Sequence, residues 1–117
     1  MIVSEGLAET FAAKMFGEDK VGKWVRETTP EILCKTVKPL IRANLMTSDF
    51  QALSSYLYGD EIMALRGGQP IGMPYCGGYA CGYALIGHYL KKTGASIYEA
   101  TITPTVEILK QTADFWQ

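Results

Sequence analysis

The sequence has few of the residues on which common metal and catalytic sites depend. Its 117 residues include one histidine, His88, and three cysteines, Cys34, Cys76 and Cys81. A single histidine excludes a complete His-Glu-x-x-His helix, a frequent zinc-binding motif, from this chain. The three cysteines are an odd number without the spacing of a disulfide framework or a zinc knuckle. We therefore predict that they are small buried apolar residues in a reducing cytoplasm.

Charge is also scarce, and the two signs balance. Eleven lysines and arginines face twelve aspartates and glutamates, without the basic run that contacts nucleic acid or an anionic membrane. The longest apolar stretch, residues 77–90, is shorter than the roughly 20 residues that span a bilayer. No cationic segment followed by an apolar core opens the chain. We expect a cytoplasmic protein that binds neither nucleic acid nor a membrane.

Hydrophobic residues make up 48% of the chain, and their spacing is helical. A period of about 3.6 residues predicts a first helix from Ile2 to Phe16. We interpret it as a central helix, because one face is small enough for close neighbours and the other is strongly apolar. The small face consists of Gly6, Thr10 and Ala13, and the apolar stripe of Leu7, Phe11 and Met15.

Further helices are predicted from apolar periodicity and from capping residues. They are a short helix holding Val21, Trp24 and Val25, one from Pro30 to about Asn44, one over Asp49–Tyr58 capped by Thr47 or Ser48, one over Gly78–Leu90, a short one after Ser96, and a last one opened by Thr103 and Pro104. No strand pair, internal repeat or linker is evident. The prediction is an all-α fold, a compact bundle of about five to seven helices forming a single domain over residues 1–117.

One long loop, rich in glycine and proline, is predicted between Gly59 and Gly78. Ile71, Met73 and Tyr75 within it favour ordered packing against the body of the protein. Just after it, Gly78 and Gly82 are four residues apart, so they leave a smooth strip on their helix for a neighbouring helix.

Two carboxylates, Glu5 and Glu9, lie four residues apart on one face of the first helix. Such a pair is usually a solvated surface, and it forms half of a metal site only where further ligands converge. Glu9 is either a partner that orients a ligand or a surface charge. His88, among apolar residues near a helix end, is interpreted as a structural or surface residue.

Three segments together resemble a bacterial family of uncharacterised, predicted zinc-dependent proteases. They are Ser-Glu-Gly-Leu-Ala-Glu at residues 4–9, Gly-Tyr-x-x-Gly-Tyr at residues 78–83, and the Thr-Pro helix start at residue 103. The resemblance covers most of the chain. It implies a His-Glu-x-x-His helix upstream, with two histidine ligands and a glutamate base, and it implies that Glu5 is the third zinc ligand. In this context Tyr79 and Tyr83 are either packing residues or phenols that stabilise an oxyanion.

The resemblance thus implies the C-terminal portion of a longer zincin-like protein. It would act on a peptide or protein substrate only when complete, and this chain alone would be inactive and hold no zinc stably, because one carboxylate cannot hold the metal. An alternative is a non-catalytic helical binding module derived from the same fold. A third possibility is a small-molecule pocket lined by the tyrosines and the glycine-rich loop.

Removal of metal-bearing helices would uncover the apolar stripe of the first helix. A soluble monomer rarely leaves such a patch exposed. We therefore expect self-association, as a homodimer or a larger assembly. The simplest form is a symmetric dimer that buries Leu7, Phe11 and Met15 against a second copy.

Overall fold

Glycine, proline and capping residues divide the described chain into two long helices and several short ones. A computed structural model describes residues 2–44 and 50–117, and these residues contain helices and turns and no strand. The α-helices are α1 (Ile2–Phe16), α2 (Lys23–Arg26), α3 (Pro30–Ile32), α4 (Lys38–Arg42), α5 (Phe50–Tyr58), α6 (Asp60–Ala64), α7 (Gly77–Thr93), α8 (Ile97–Thr101) and α9 (Thr105–Gln111). The π-helical segment Leu33–Val37 joins α3 to α4, and 3-10 turns occupy Glu18–Lys20 and Ala113–Trp116. The predicted all-α fold is confirmed.

Local capping chemistry explains several helix ends. The Thr29 hydroxyl accepts a hydrogen bond from the backbone N–H of Ile32, the third residue of α3. Ser96 and Glu99 form a reciprocal capping box at the start of α8. Gly94 ends α7 in the left-handed conformation that glycine adopts without strain. These three boundaries follow from the sequence.

Other boundaries differ from the prediction or fall outside the structural description. The long loop begins after α6, because residues that follow Gly59 form one more helical turn. The predicted caps of α5, Thr47 and Ser48, lie outside the described residues. Of the cysteines, Cys76 and Cys81 are buried as predicted, whereas Cys34 is exposed. Within the two described ranges, no helix is long and apolar enough to cross a membrane.

Helix α7 is the centre of the fold, and two helices approach it at glycines. A Cβ atom added at Gly6 of α1 would overlap the Gly82 carbonyl oxygen, and one at Gly82 would lie 2.5 Å from the Ile2 carbonyl oxygen. One turn earlier, a Cβ atom at Gly78 would overlap the Tyr56 carbonyl oxygen of α5. The predicted smooth strip on α7 is confirmed, and it receives two different helices.

The small face of α1 packs inward, so the large apolar side chains of α1 point outward. Its buried residues are Val3 and Gly6, whereas Phe11, Met15 and Phe16 are 37%, 52% and 71% exposed. Only the small face permits the close approach to α7. Phe11 and Met15 of the stripe therefore lie on the opposite side of the helix, whereas Leu7 is partly buried against the core. The prediction of a central α1 is therefore wrong.

The C-terminal turn closes the other end of the core. Phe115 and Trp116 are buried there. Lys38 of α4 donates a hydrogen bond to the Phe115 carbonyl oxygen at 2.9 Å, and its ammonium group lies 4.0 Å from the centre of the Phe115 ring. His88 lies beside this turn, with its Nε2 atom 3.2 Å from the Asp114 carboxylate. The interpretation of His88 as a structural residue agrees with this position.

Candidate functional site

A cleft of about 440 Å³ opens beside the first turn of α7. Gly82 holds α1 against one side of α7, and Gly78 holds α5 against another, so the cleft forms where these two helices diverge. Aromatic rings and carboxylates dominate its walls. The lining residues are Glu5, Glu9, Trp24, Tyr58, Ile62, Tyr75, Cys76 and Tyr79.

The two glutamates of α1 line this cleft together. Glu5 and Glu9 are both half-buried, and they lie one helical turn apart. The indole N–H of Trp24 donates a hydrogen bond to Glu9 Oε1 at 2.8 Å. The neighbour of Trp24 in α2, Val25, is buried and anchors that short helix. The hydrogen bond therefore fixes the Glu9 carboxylate at the wall of the cleft.

Tyr79 places a phenol in the same cleft as Glu5. The ring of Tyr79 lies 5.7 Å from the ring of Tyr58, with an angle of 53° between the two planes. Burial, the hydrogen bond with Tyr58 and the charge of Glu5 all raise the pKa of Tyr79. The phenol therefore stays protonated at neutral pH.

Tyr83 lies elsewhere. It lines a second cleft, of about 580 Å³, together with Thr10, Lys14 and residues around the start of α8. Burial, followed by the charge of Glu18, raises the pKa of Tyr83. The structure brings Glu5, Glu9 and Tyr79 together, and it does not bring Tyr83 into their cleft.

The glycine- and proline-rich loop is fixed to the α5–α6 junction and supplies the far wall of the cleft. The Asp60 carboxylate accepts hydrogen bonds from the backbone N–H groups of Ile71 and Gly72, each at 2.9 Å. The N–H of Cys76 donates to the Tyr58 carbonyl oxygen at 2.8 Å. The prediction that this loop packs in an ordered way is confirmed.

Cys76 and Tyr75 lie in a region of negative potential at this wall. Burial, and then the charges of Glu27 and Glu61, raise the pKa of the Cys76 thiol, although a hydrogen bond with Tyr75 lowers it. The pKa of Tyr75 is raised by the charge that Cys76 acquires in alkaline solution, and then by burial and the same two glutamates. Both groups therefore remain protonated at neutral pH.

The described part of the chain does not by itself fit a catalytic zinc ion. Such an ion takes three protein ligands and a water molecule. Among residues 2–44 and 50–117, no group of three or more histidine, cysteine, aspartate or glutamate side chains is placed to hold a metal. The cleft contains the carboxylates of Glu5 and Glu9, which suit one zinc ligand and one residue that orients a ligand.

Comparison with known proteins connects this chain to a family. Residues 1–110 match the family described as "Predicted Zn-dependent protease (DUF2268)". This chain belongs to that family. Over 110 residues it is 34% identical to the uncharacterized protein YjfC of Bacillus subtilis (strain 168). The alignment covers 94% of this chain and 36% of YjfC, so the chain spans about a third of that relative. No solved structure matches the chain.

Membership of this family confirms the resemblance in its coarse form, and the ligand roles of individual residues stay predictions. Several residues of the cleft were missed. Trp24 was interpreted only as an apolar residue of a short helix, and Tyr58 only as the end of another. The hydrogen bond between Trp24 and Glu9 joins residues 15 positions apart in different helices, and no local pattern indicates it.

Proposed function

We propose that this chain is the helical part of a zinc-dependent metallopeptidase and that Glu5 is one of the zinc ligands. An upstream His-Glu-x-x-His helix would complete the site. The observation that carries the proposal is the convergence of Glu5, Glu9 and Tyr79 on one cleft, in a chain that belongs to a family of predicted zinc-dependent proteases.

The residues of the cleft suit distinct tasks in peptide hydrolysis. Zinc, when bound, would supply a water molecule with a pKa near neutrality. The half-buried Glu5 would hold the metal through its carboxylate. Glu9, held by Trp24, would orient a ligand of the metal. The protonated phenol of Tyr79 would donate a hydrogen bond to a substrate carbonyl oxygen as negative charge develops on it.

Zinc content and affinity, measured by elemental analysis and calorimetry, test the proposal. The proteins compared are this chain and a form extended upstream through any encoded His-Glu-x-x-His segment. We expect stoichiometric zinc only in the extended form. There, Glu5→Ala lowers the affinity by about 100-fold or more, because a direct ligand matters at least as much as its supporting residues.

Glu107→Gln is the matched control, because Glu107 is an exposed carboxylate on α9 that lies outside the lining of the cleft and accepts a hydrogen bond from Gln111 of the same helix. It should leave zinc binding unchanged. Absence of zinc from both forms, or full zinc binding by Glu5→Ala, would contradict the proposal.

A second candidate function is a non-catalytic helical interaction module. The exposed apolar stripe of α1 favours it, because large exposed apolar patches mark interaction surfaces. The module would replace the peptidase as the better account under three conditions. Both forms of the protein would lack zinc, both would be stable monomers, and a partner would bind at this stripe.

A further inference from the structure

The walls of the cleft suit an organic cation. Four aromatic rings line it, those of Trp24, Tyr58, Tyr75 and Tyr79. The face of an aromatic ring carries negative potential and attracts a cation that lies over it. Two carboxylates alone would serve many cations, but aromatic walls favour a cation on an apolar stem, such as an alkylammonium or a guanidinium group.

The protein already shows one contact of this kind at the rim. The guanidinium carbon of Arg66 lies 5.2 Å from the centre of the Tyr58 ring. Arg66 thus covers one face of Tyr58. Trp24 and Tyr75 are both exposed, and each lines the cleft, so their rings are accessible to a ligand from solvent.

The charge around the cleft has the complementary sign. Glu9 lies at the edge of the Trp24 indole, held by their hydrogen bond. A neighbouring groove shares Tyr75 with the cleft and is lined by Lys23, Glu27 and Glu61. Lys23 and Arg66 therefore oppose the two glutamates of the groove and the two of the cleft, and the combined surface is acidic.

We propose that this cleft binds ligands through an alkylammonium or guanidinium group that lies against Trp24 and Tyr75 and pairs with Glu9. Cation binding stands on the cleft alone. The identity of the cation as the lysine or arginine side chain of a peptide rests on the proposed function. In that case Glu5 serves the metal, while Glu9 and the rings select a basic side chain beside the scissile bond.

Matched pairs of small ligands test the cation preference in the presence of EDTA. Nα-acetyl-lysinamide is compared with the neutral Nα-acetyl-norleucinamide, and Nα-acetyl-argininamide with the neutral Nα-acetyl-citrullinamide. Binding is followed by calorimetry and by tryptophan fluorescence. We expect each charged ligand to bind about fivefold or more tighter than its neutral partner, as a desolvated cation over aromatic rings would.

Two variants locate the site. Glu9→Gln removes the charge but retains an oxygen that accepts from Trp24, and it should weaken lysinamide binding about threefold or more. Trp24→Leu should weaken it further. Glu107→Gln, on α9 and outside the lining of the cleft, should leave it unchanged. Because the glutamine variant preserves the hydrogen bond, it remains a valid test if Trp24→Leu fails to fold.

Equal binding of charged and neutral ligands would overturn the proposal, as would a lack of binding by either or an unaltered affinity in Glu9→Gln. EDTA makes these outcomes independent of zinc. A cation preference in this chain without zinc in the extended form would overturn the proposed function alone. Zinc in the extended form without a cation preference here would overturn the present inference alone.

Discussion

Asp60 connects α6 to the loop that forms one wall of the cleft, through two backbone N–H groups. Its replacement by alanine leaves both groups without their acceptor. We expect Asp60→Ala to lower the free energy of unfolding by about 1–3 kcal/mol, measured by urea denaturation. Asp60→Asn should lower the free energy of unfolding by a smaller amount, because the single carbonyl oxygen of its side chain still accepts a hydrogen bond.

The adjacent Glu61 provides the control for Asp60. It is exposed, and Glu61→Ala should change the unfolding free energy by about 0.5 kcal/mol or less. If Asp60→Ala is no more destabilising than Glu61→Ala, the loop does not depend on the carboxylate.

Asp114 gives stability a dependence on acidic pH. A hydrogen bond from Lys92, together with the contact with His88, lowers the pKa of Asp114 from 3.8 to about 2, against the opposing effect of desolvation. The folded state therefore favours the carboxylate. This contribution is complete above about pH 5 and disappears as the pH falls towards 2.

The variant Asp114→Asn isolates this contribution. Since Asp114 is exposed, the effect is small, and thermal unfolding at a series of pH values is the suitable measurement. The parent should have a higher melting temperature than the variant at pH 5 to 7, and the two melting temperatures should converge near pH 2. A difference that stays constant over this range would show that the carboxylate charge is not involved.

The carboxylates of the cleft could be predicted, whereas their partners could not. Glu5 and Glu9 share a face because the period of a helix is a local property. Trp24 reaches Glu9 only because α2 packs against the body of the protein through Val25. Tyr75 and Cys76 reach the cleft only because Asp60 holds the preceding part of the loop. These placements depend on tertiary contacts between distant positions.

The contact of α1 with α7 depends on glycine at the crossing point. In Gly82→Ala the new methyl group would lie 2.5 Å from the Ile2 carbonyl oxygen, so the helices must separate. We expect a loss of about 1–3 kcal/mol of unfolding free energy, even though alanine favours a helix more than glycine does. Chemical denaturation monitored by circular dichroism measures this loss.

Gly87 of the same helix is the matched control. A Cβ atom at Gly87 meets nothing within 4 Å, so Gly87→Ala should stabilise the protein by up to about 1 kcal/mol. Changes of the same sign in the two variants would show that helix propensity, and not packing, governs both positions.

The length of α1 and the glycine strip of α7 could be predicted, but the rotation of α1 about its own axis could not. Amphipathic reasoning places the large apolar side chains of a helix inward. Here the backbones of α1 and α7 approach so closely at Gly6 that the small face is the one buried. Likewise, no periodicity indicates the turn Ala113–Trp116, because its aromatic residues are buried by packing on α4.

The outward stripe of α1 leads to a proposal about assembly. Phe11 packs edge-on against Tyr98 of α8, with ring centres 5.7 Å apart. Beside them, Leu7 and Thr101 line an open groove of about 530 Å³. We propose that two copies associate through this surface. Sedimentation velocity should then show a concentration-dependent dimer, and Met15→Lys should give a monomer because it buries a charge in the interface.

Leu65→Lys serves as the control for self-association. Leu65 is 87% exposed and lies after α6, away from the stripe. This variant should dimerise as the parent does. A parent protein that sediments as a monomer at high concentration would exclude the dimer.

The close contact between Gly6 and Gly82 also has a consequence for how these two positions change during evolution. Each glycine leaves room only for the backbone that faces it, so enlarging one residue displaces the whole opposite helix. Across the family, positions 6 and 82 should therefore change as a pair. Lineages in which both are larger should carry a wider cleft between α1 and α5, and with it a different choice of ligand.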